Sequence, residues 1–313
     1  MTSLVWAFAM LSWATRIAPF ASRPEASPGT VRSGREVCQS NILGYPVDDI
    51  HSVVGLAPIA RIAGACYSPP TMASNVLLTR DRLIATVTLN RPERRNSLSD
   101  EMLTELGAAF AELRDDASTR VVIVTGAPPV FSAGADAGHA KAATAEERRR
   151  LFLSRKSQFR RLFERSNTIL EGLEQATIAA VNGHAVGGGW GLALACDLRI
   201  AAAEAQFWIP EVDLGVPLGV GTTTRFVRLV GPARAKEIIM GCARYSAAEA
   251  QAWGLVNRVV PGAELAEAAR EYARRLAEKP FRPLAEVKAR INAIARAGIP
   301  DVNAMTEGFL ERS

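Results

Sequence analysis

The sequence predicts an α/β fold built on parallel strands, and three observations carry that expectation. Short apolar runs recur without alternation at residues 121–125, 178–181 and 198–201, as strands covered on both faces require. Stretches of helical periodicity separate them, so each step from strand to strand needs a right-handed crossover. From Gly231 onward the periodicity is helical, over residues 233–240, 247–253, 264–277 and 283–297.

In chain order, residues 1–71 stand apart. Residues 4–14 are apolar but too few to span a bilayer, and no Lys or Arg precedes them as in a secretory signal. Pro, Ser, Gly and Arg follow without sustained period, and the segment has no Lys. It reads as a disordered extension before a functional start at Met72, with a targeting peptide as the competing reading. Residues 82–90 then alternate, placing Leu83, Ala85, Val87 and Leu89 on one face of a strand. Residues 91–96 form a polar loop. Ser97 or Ser99 caps the next helix, in which Leu103, Leu106, Phe110 and Leu113 recur at helical spacing. Residues 145–173 form a charged amphipathic helix with Leu151, Phe159, Leu162 and Phe163 among its apolar positions, its arginines on a solvated face.

Composition excludes several classes of chemistry. The chain has 313 residues, 48% hydrophobic and 22% charged, as in a globular protein of one or two domains. Its net charge of +5 comes from arginines scattered rather than striped, which speaks against nucleic acid and for a small anionic partner. The cysteines (Cys38, Cys66, Cys196, Cys242) form no close pair, so neither a zinc site nor a disulfide framework is expected. The histidines (His51, His139, His184) form no HExxH pair. Neither a GxSxG elbow nor a GxxxxGK[ST] loop is present, and the glycines at 187–191 miss the GxGxxG register. A metal-free, cytoplasmic protein without a membrane span is the expectation.

Two small-residue loops remain, each following a strand: residues 131–136 (Phe-Ser-Ala-Gly-Ala-Asp) and 182–191 (Asn-Gly-His-Ala-Val-Gly-Gly-Gly-Trp-Gly). Either one alone reads as a tight turn. Together they can aim two peptide N–H groups at one carbonyl oxygen, which stabilises an enolate or tetrahedral oxyanion without side-chain chemistry.

With these loops stand Leu89-Asn90-Arg91-Pro92, Asn96-Ser97-Leu98-Ser99, Ala195-Cys196-Asp197-Leu198-Arg199-Ile200-Ala201, Pro210-Glu211, Leu214-Gly215, Ala247-Ala248-Glu249-Ala250, Gly254-Leu255-Val256 and Val259-Val260-Pro261. In this order and spacing, over roughly residues 75–300, the chain resembles the enoyl-CoA hydratase/isomerase (crotonase) family. The resemblance implies a crotonase-like spiral of ββα units over residues 72–230 and a helical trimerisation region over residues 231–313, assembling as a homotrimer or hexamer. It implies a coenzyme A thioester as substrate and no separate cofactor. By position, Ala135 and Gly188 supply the oxyanion N–H groups. Arg95, Ser97, Ala133, Gly134, Asp136, Gly187 and Trp190 fall at substrate-binding positions, Trp190 as a wall of the acyl pocket or as core.

The chain departs from the family's hydratases in its acids. These carry two glutamates. Here the first position reads Gly191 and the second is Glu211, while a position where diene-shifting relatives place an acid reads Gly219. One carboxylate suits moving a double bond from C3–C4 to C2–C3, because one base can take the proton from C2 and return it to C4. Glu211 follows the apolar Phe207-Trp208-Ile209-Pro210, a setting that raises a carboxyl pKa. Hydration, with another group replacing the missing acid, is the alternative; a non-catalytic acyl-CoA binder is the reading outside enzymology. Among other polar residues, Asp136 reads as a helix cap, Asp197 as structural, and His184 as a structural imidazole. Asp213 faces away from Glu211 if its segment is extended.

Overall fold

Six strands form the main sheet in a computed structural model that describes residues 74–136 and 145–297. These lie within one unit, Ser68–Ser313; the expectations for residues 1–71 fall outside the described residues. β1 (Val76–Asp81) and β2 (Ile84–Leu89) pair antiparallel. β3 (Val121–Gly126), β4 (Ala176–Val181), β6 (Leu198–Ala202) and β9 (Arg258–Val260) then continue the sheet in parallel. A smaller sheet joins β5 (Ala185–Val186) in parallel to β7 (Gln206–Trp208), and β7 antiparallel to β8 (Tyr245–Ser246). Fold and sequence motifs agree with the spiral α/β architecture expected.

The central strands are legible because burial on both faces selects continuous apolar sequence. Every residue of β4 is buried, as are Val121, Val122, Ile123 and Val124 of β3. β2 alternates as its pattern requires, with Ala85, Val87 and Leu89 buried. Leu83 is a correction: it lies in the two-residue turn between β1 and β2, beside Arg82 at φ 54°, and is exposed. β1 itself carries no periodic signal, because as an edge strand it presents mostly exposed residues.

Helix α1 (Asp100–Arg114) begins where Ser99 accepts a hydrogen bond from the Met102 amide, with Asp100 and Glu101 in the first turn, as an N-cap and the helix dipole favour. Its buried face includes Leu103, Leu106, Phe110 and Leu113 and packs on α2 (Ala145–Gly172). The expected position of Leu151 within α2 holds, while its side chain lies outside the described residues. α3 (Gly188–Ala195) is buried along all but its first residue. α4 (Val220–Gly241) starts earlier than the helical pattern suggests and kinks at Gly231, φ 70°, before Pro232. α5 (Ala247–Ala252), α6 (Leu265–Ala277) and α7 (Phe281–Arg296) follow, with α6 lying over β3, β4 and β6.

Asp197 plays the structural part expected of it. It accepts hydrogen bonds from the amide (2.7 Å) and hydroxyl (2.9 Å) of Thr177 and pairs with Lys288 at 2.8 Å, tying the end of α3 to β4 and α7. Among the described residues no helix is long and apolar enough to cross a membrane.

The Ser99 cap provides a direct check on this description. Ser99→Ala leaves an amide of the first turn without its acceptor and lowers unfolding free energy by about 1 kcal/mol in urea titration.

Candidate active site

The first small-residue loop is held by a buried asparagine. Asn96, at φ 52° and fully buried, donates through Nδ2 to the carbonyls of Ala127 (2.7 Å) and Val130 (2.8 Å) and accepts from the Arg91 amide (3.0 Å). Its own carbonyl accepts from Ser132 Oγ at 2.8 Å, and that hydroxyl accepts from the Gly134 amide at 3.2 Å. The Ala133 amide donates to the Arg95 carbonyl at 2.9 Å. Asn96 and Ser132 stand inside motifs visible in the sequence, yet their work is tertiary, and no local pattern announces it.

Backbone bonds then join the two loops. Ser132 donates to the His184 carbonyl (3.1 Å), and Val186 donates to the Ser132 carbonyl (3.0 Å). Leu98 donates to Gly134 (2.8 Å) and Asp136 donates to Leu98 (3.0 Å), forming a parallel bridge centred on Ala135. In such a bridge the N–H of the central residue turns away from its partner. Gly134 sits at φ +84°; a Cβ there would lie 2.6 Å from the Val186 carbonyl oxygen and 3.5 Å from the Gly188 nitrogen. Only glycine permits this approach of the two loops.

Gly187, at φ +49°, caps α3 and donates to the Trp208 carbonyl at 3.0 Å. Gly188 is therefore the first helical residue, whose amide has no acceptor within its helix. Among the described residues neither the Ala135 nor the Gly188 amide has a hydrogen-bond acceptor. The space beside Gly188 is apolar: a Cβ there would meet Leu98 (3.4 Å), Phe163 (3.6 Å) and Phe159 (3.7 Å), the last two stacked with centroids 5.7 Å apart.

The pairing of β5 with β7 brings Glu211 to the same place. Val186 sits opposite Trp208, and the chain runs on through buried Ile209 and half-buried Pro210. The Glu211 carboxylate then lies against Gly187, where any Cβ would overlap Oε1. Oε2 is buried with no hydrogen-bond partner among the described residues. Burial pushes the Glu211 carboxyl up to about 7, and only its own backbone amide works the other way. The following turn closes on itself, Val216 donating to the Glu211 carbonyl at 2.9 Å and Leu214 to Pro210 at 3.1 Å. Asp213 is exposed in that turn, which is not an extended segment.

Other expected residues are placed as follows. Arg95 is exposed and Ser97 is buried. Arg91 Nη1 donates to the Ser97 carbonyl (2.8 Å) and pairs with Asp136 at 2.8 Å. The helix cap expected of Asp136 falls on residues 137–144, outside the described residues. Trp190, expected as pocket wall or core, is 0% exposed and packed against Phe207 (5.1 Å) and Phe226 (4.8 Å), which places it in the core. His184 Nδ1 accepts from the Gln206 amide at 3.3 Å, a structural use. Among the described residues no group of three or more potential ligands is placed to hold a metal ion.

Comparison with known proteins bears on family and fold. The family model for enoyl-CoA hydratase/isomerase matches residues 79–310. A short-chain-enoyl-CoA hydratase of Clostridium acetobutylicum is 41% identical over 204 residues, which are 65% of this chain and 75% of that protein. An enoyl-CoA hydratase from Bacillus anthracis superposes with a TM-score of 0.65 at 34% identity, covering 76% of this chain and 90% of that one. A monofunctional enoyl CoA isomerase from M. smegmatis superposes with a TM-score of 0.61 at 35% identity, covering 73% of this chain and 97% of that one.

The glycines differ in what they tolerate. Gly134→Ala forces a left-handed residue against a backbone carbonyl and costs roughly 1–3 kcal/mol of stability, whereas Gly188→Ala meets ordinary contacts. Thermal unfolding of the two variants checks this: a clear drop in melting temperature for the first, little change for the second.

Proposed function

The chain belongs to the enoyl-CoA hydratase/isomerase family, and from that premise we propose that it shifts a double bond of an acyl-CoA thioester from C3–C4 to C2–C3. The carrying observation is the Glu211 carboxylate, with Oε2 buried and unpartnered among the described residues, against the glycine turn that begins α3. In this reading the thioester oxygen accepts hydrogen bonds from the amides of Ala135 and Gly188. Glu211 removes a proton from C2, and the electron pair moves into a dienolate whose charge rests on that oxygen. The same carboxyl then returns the proton to C4, and the electrons settle as a C2–C3 double bond. No water is consumed, in keeping with the apolar Leu98, Phe159 and Phe163 beside Gly188.

A carboxyl near 7 takes and gives back a proton with small cost in either direction at neutral pH. Its isolation from cations among the described residues keeps it basic. Along the entrance, Arg95, Ser97, Ala133, Gly134, Asp136 and Gly187 surround the thioester and pantetheine, and no cofactor is required. Val287, Ile291 and Ile294 of α7, 52%, 59% and 74% exposed, support a homotrimer or hexamer, since they repeat on one helix face that the described residues leave open. Hydration is the second reading, favoured by the 41% identity to a hydratase. With crotonyl-CoA, hydration removes the conjugated thioester absorbance and isomerisation does not.

Glu211→Gln is expected to lower turnover of a 3-enoyl-CoA by about 10²–10⁴-fold with thioester binding retained; unchanged turnover ends the proposal. In the wild type, kcat/KM falls with acidification below about pH 7, as Glu211 becomes protonated. Stability runs the other way. With a folded value near 7 against an ordinary 4.5, burial of the neutral acid carries no penalty at low pH, and stability is lost as pH rises through about 7. Glu211→Gln therefore unfolds at a higher temperature than wild type at pH 8 and shows little difference at pH 5.

A further inference from the structure

Gly191 and Thr222 occupy one space. The Gly191 amide donates to the Gly187 carbonyl at 3.0 Å in the first turn of α3, so position 191 lies on the same helix face as Gly187 and Gly188. Gly187 faces the Glu211 carboxylate, and Gly188 faces Phe163. A Cβ on Gly191 would overlap Thr222 Oγ1, and would lie 3.0 Å from Thr222 Cγ2 and 3.2 Å from Phe163 Cζ. The Phe163 ring thus borders both Gly188 and Gly191. Thr222 is 1% exposed and fills the space at 191.

Thr222 has nowhere to retreat. It lies in the first turn of α4, whose Gly221 amide is held at 3.1 Å by Glu164 of α2. One turn later Arg225, itself buried, pairs with Glu171 at 2.6 Å, and Phe226 packs edge-on to Trp190 of α3 at 4.8 Å. These contacts hold the start of α4 against α2 and, through Phe226, against α3.

We propose that Thr222 determines the reaction of this site: its side chain plugs the position from which a carboxylate on α3 would work, so that Gly191 and Thr222 form a matched pair closed to water addition. This rests on the double-bond-shift reading above. Adding water to a C2–C3 double bond delivers hydroxide to C3 and a proton to C2. A pair of carboxyl groups does this together, one accepting the proton of water while the other donates to C2. Glu211 stands ready for half of that work. A carboxylate at 191 would flank the reacting carbons from α3, but Thr222 denies it even a Cβ. A threonine hydroxyl does not ionise near neutral pH and takes over neither role. At the glycine turn this leaves Glu211 beside the apolar Leu98, Phe159 and Phe163, the arrangement a proton shuttle needs.

The test compares wild type, Thr222→Gly, Gly191→Glu and Gly191→Glu/Thr222→Gly for melting temperature, isomerisation of a 3-enoyl-CoA and hydration of crotonyl-CoA. Gly191→Glu alone should melt well below wild type. The double variant should recover much of that loss and hydrate crotonyl-CoA at least about tenfold faster than wild type, while Thr222→Gly alone gains no hydration. Gly191→Ala with and without Thr222→Gly repeats the packing measurement with a side chain small enough to fold: Thr222→Gly should rescue it. Additive effects on melting temperature, a stable Gly191→Glu single variant, or a folded double variant that hydrates no faster than wild type each overturn the proposal. Failure of the wild type to isomerise any 3-enoyl-CoA overturns the parent reading instead, and leaves the packing cycle readable by itself.

Discussion

The short backbone ladder between residues 131–136 and 184–188 is the constraint on which the site depends. Ser132 donates to His184 and accepts from Val186 across it, and the Leu98 bridge orients Ala135 from the other side. Every group in this ladder is a main-chain amide or carbonyl, so its geometry is fixed by register rather than by side-chain rotamers. What register leaves over is as important as what it satisfies. An amide turned away from its bridge and an amide at the start of a helix both remain available to an incoming oxygen. Donors held in place before substrate arrives cost no reorganisation when charge develops.

Around that ladder the chain spends stability on chemistry. Glu211 is buried without a counter-charge among the described residues, and one of its oxygens has no hydrogen bond. A shift from 4.5 to about 7 corresponds to a cost on the order of 3 kcal/mol for keeping it ionised. A nearby arginine would remove that cost and the basicity with it. Elsewhere the same protein pairs its partly buried acids: Glu171 with Arg225, Asp197 with Lys288, Asp136 with Arg91. The unpaired acid is local to the glycine turn, where strongly shifted groups mark functional sites.

How much of this was readable beforehand follows from which interactions are local. β2, β3, β4 and β6 were legible because burial dictates their apolar pattern, and α1 because Ser99 and four spaced apolar residues mark its start and face. α3 was not, because Gly188-Gly189-Trp190-Gly191 are poor helix formers and the helix is buried nearly all round, which erases amphipathic period. β1, β5, β7 and β8 were hidden for the opposite reason, being exposed at an edge or only two or three residues long. Within the candidate site, motif order singles out Glu211, Ala135 and Gly188. Asn96 was quoted only as motif, and Thr222 was absent from the reading, because each acts on a residue brought near by folding. Trp190 was left open between pocket and core, and three-way aromatic packing with Phe207 and Phe226 decides for core.

The central claim is that one acyl oxygen meets two amides while the neighbouring carbon meets Glu211. A crystal structure of the wild type with a saturated acyl-CoA, which cannot turn over by a double-bond shift, measures this directly. The thioester oxygen should lie about 2.7–3.1 Å from the nitrogens of both Ala135 and Gly188, with C2 beside the Glu211 carboxylate. An oxygen in contact with neither amide, or an acyl chain running away from Glu211, would contradict the account.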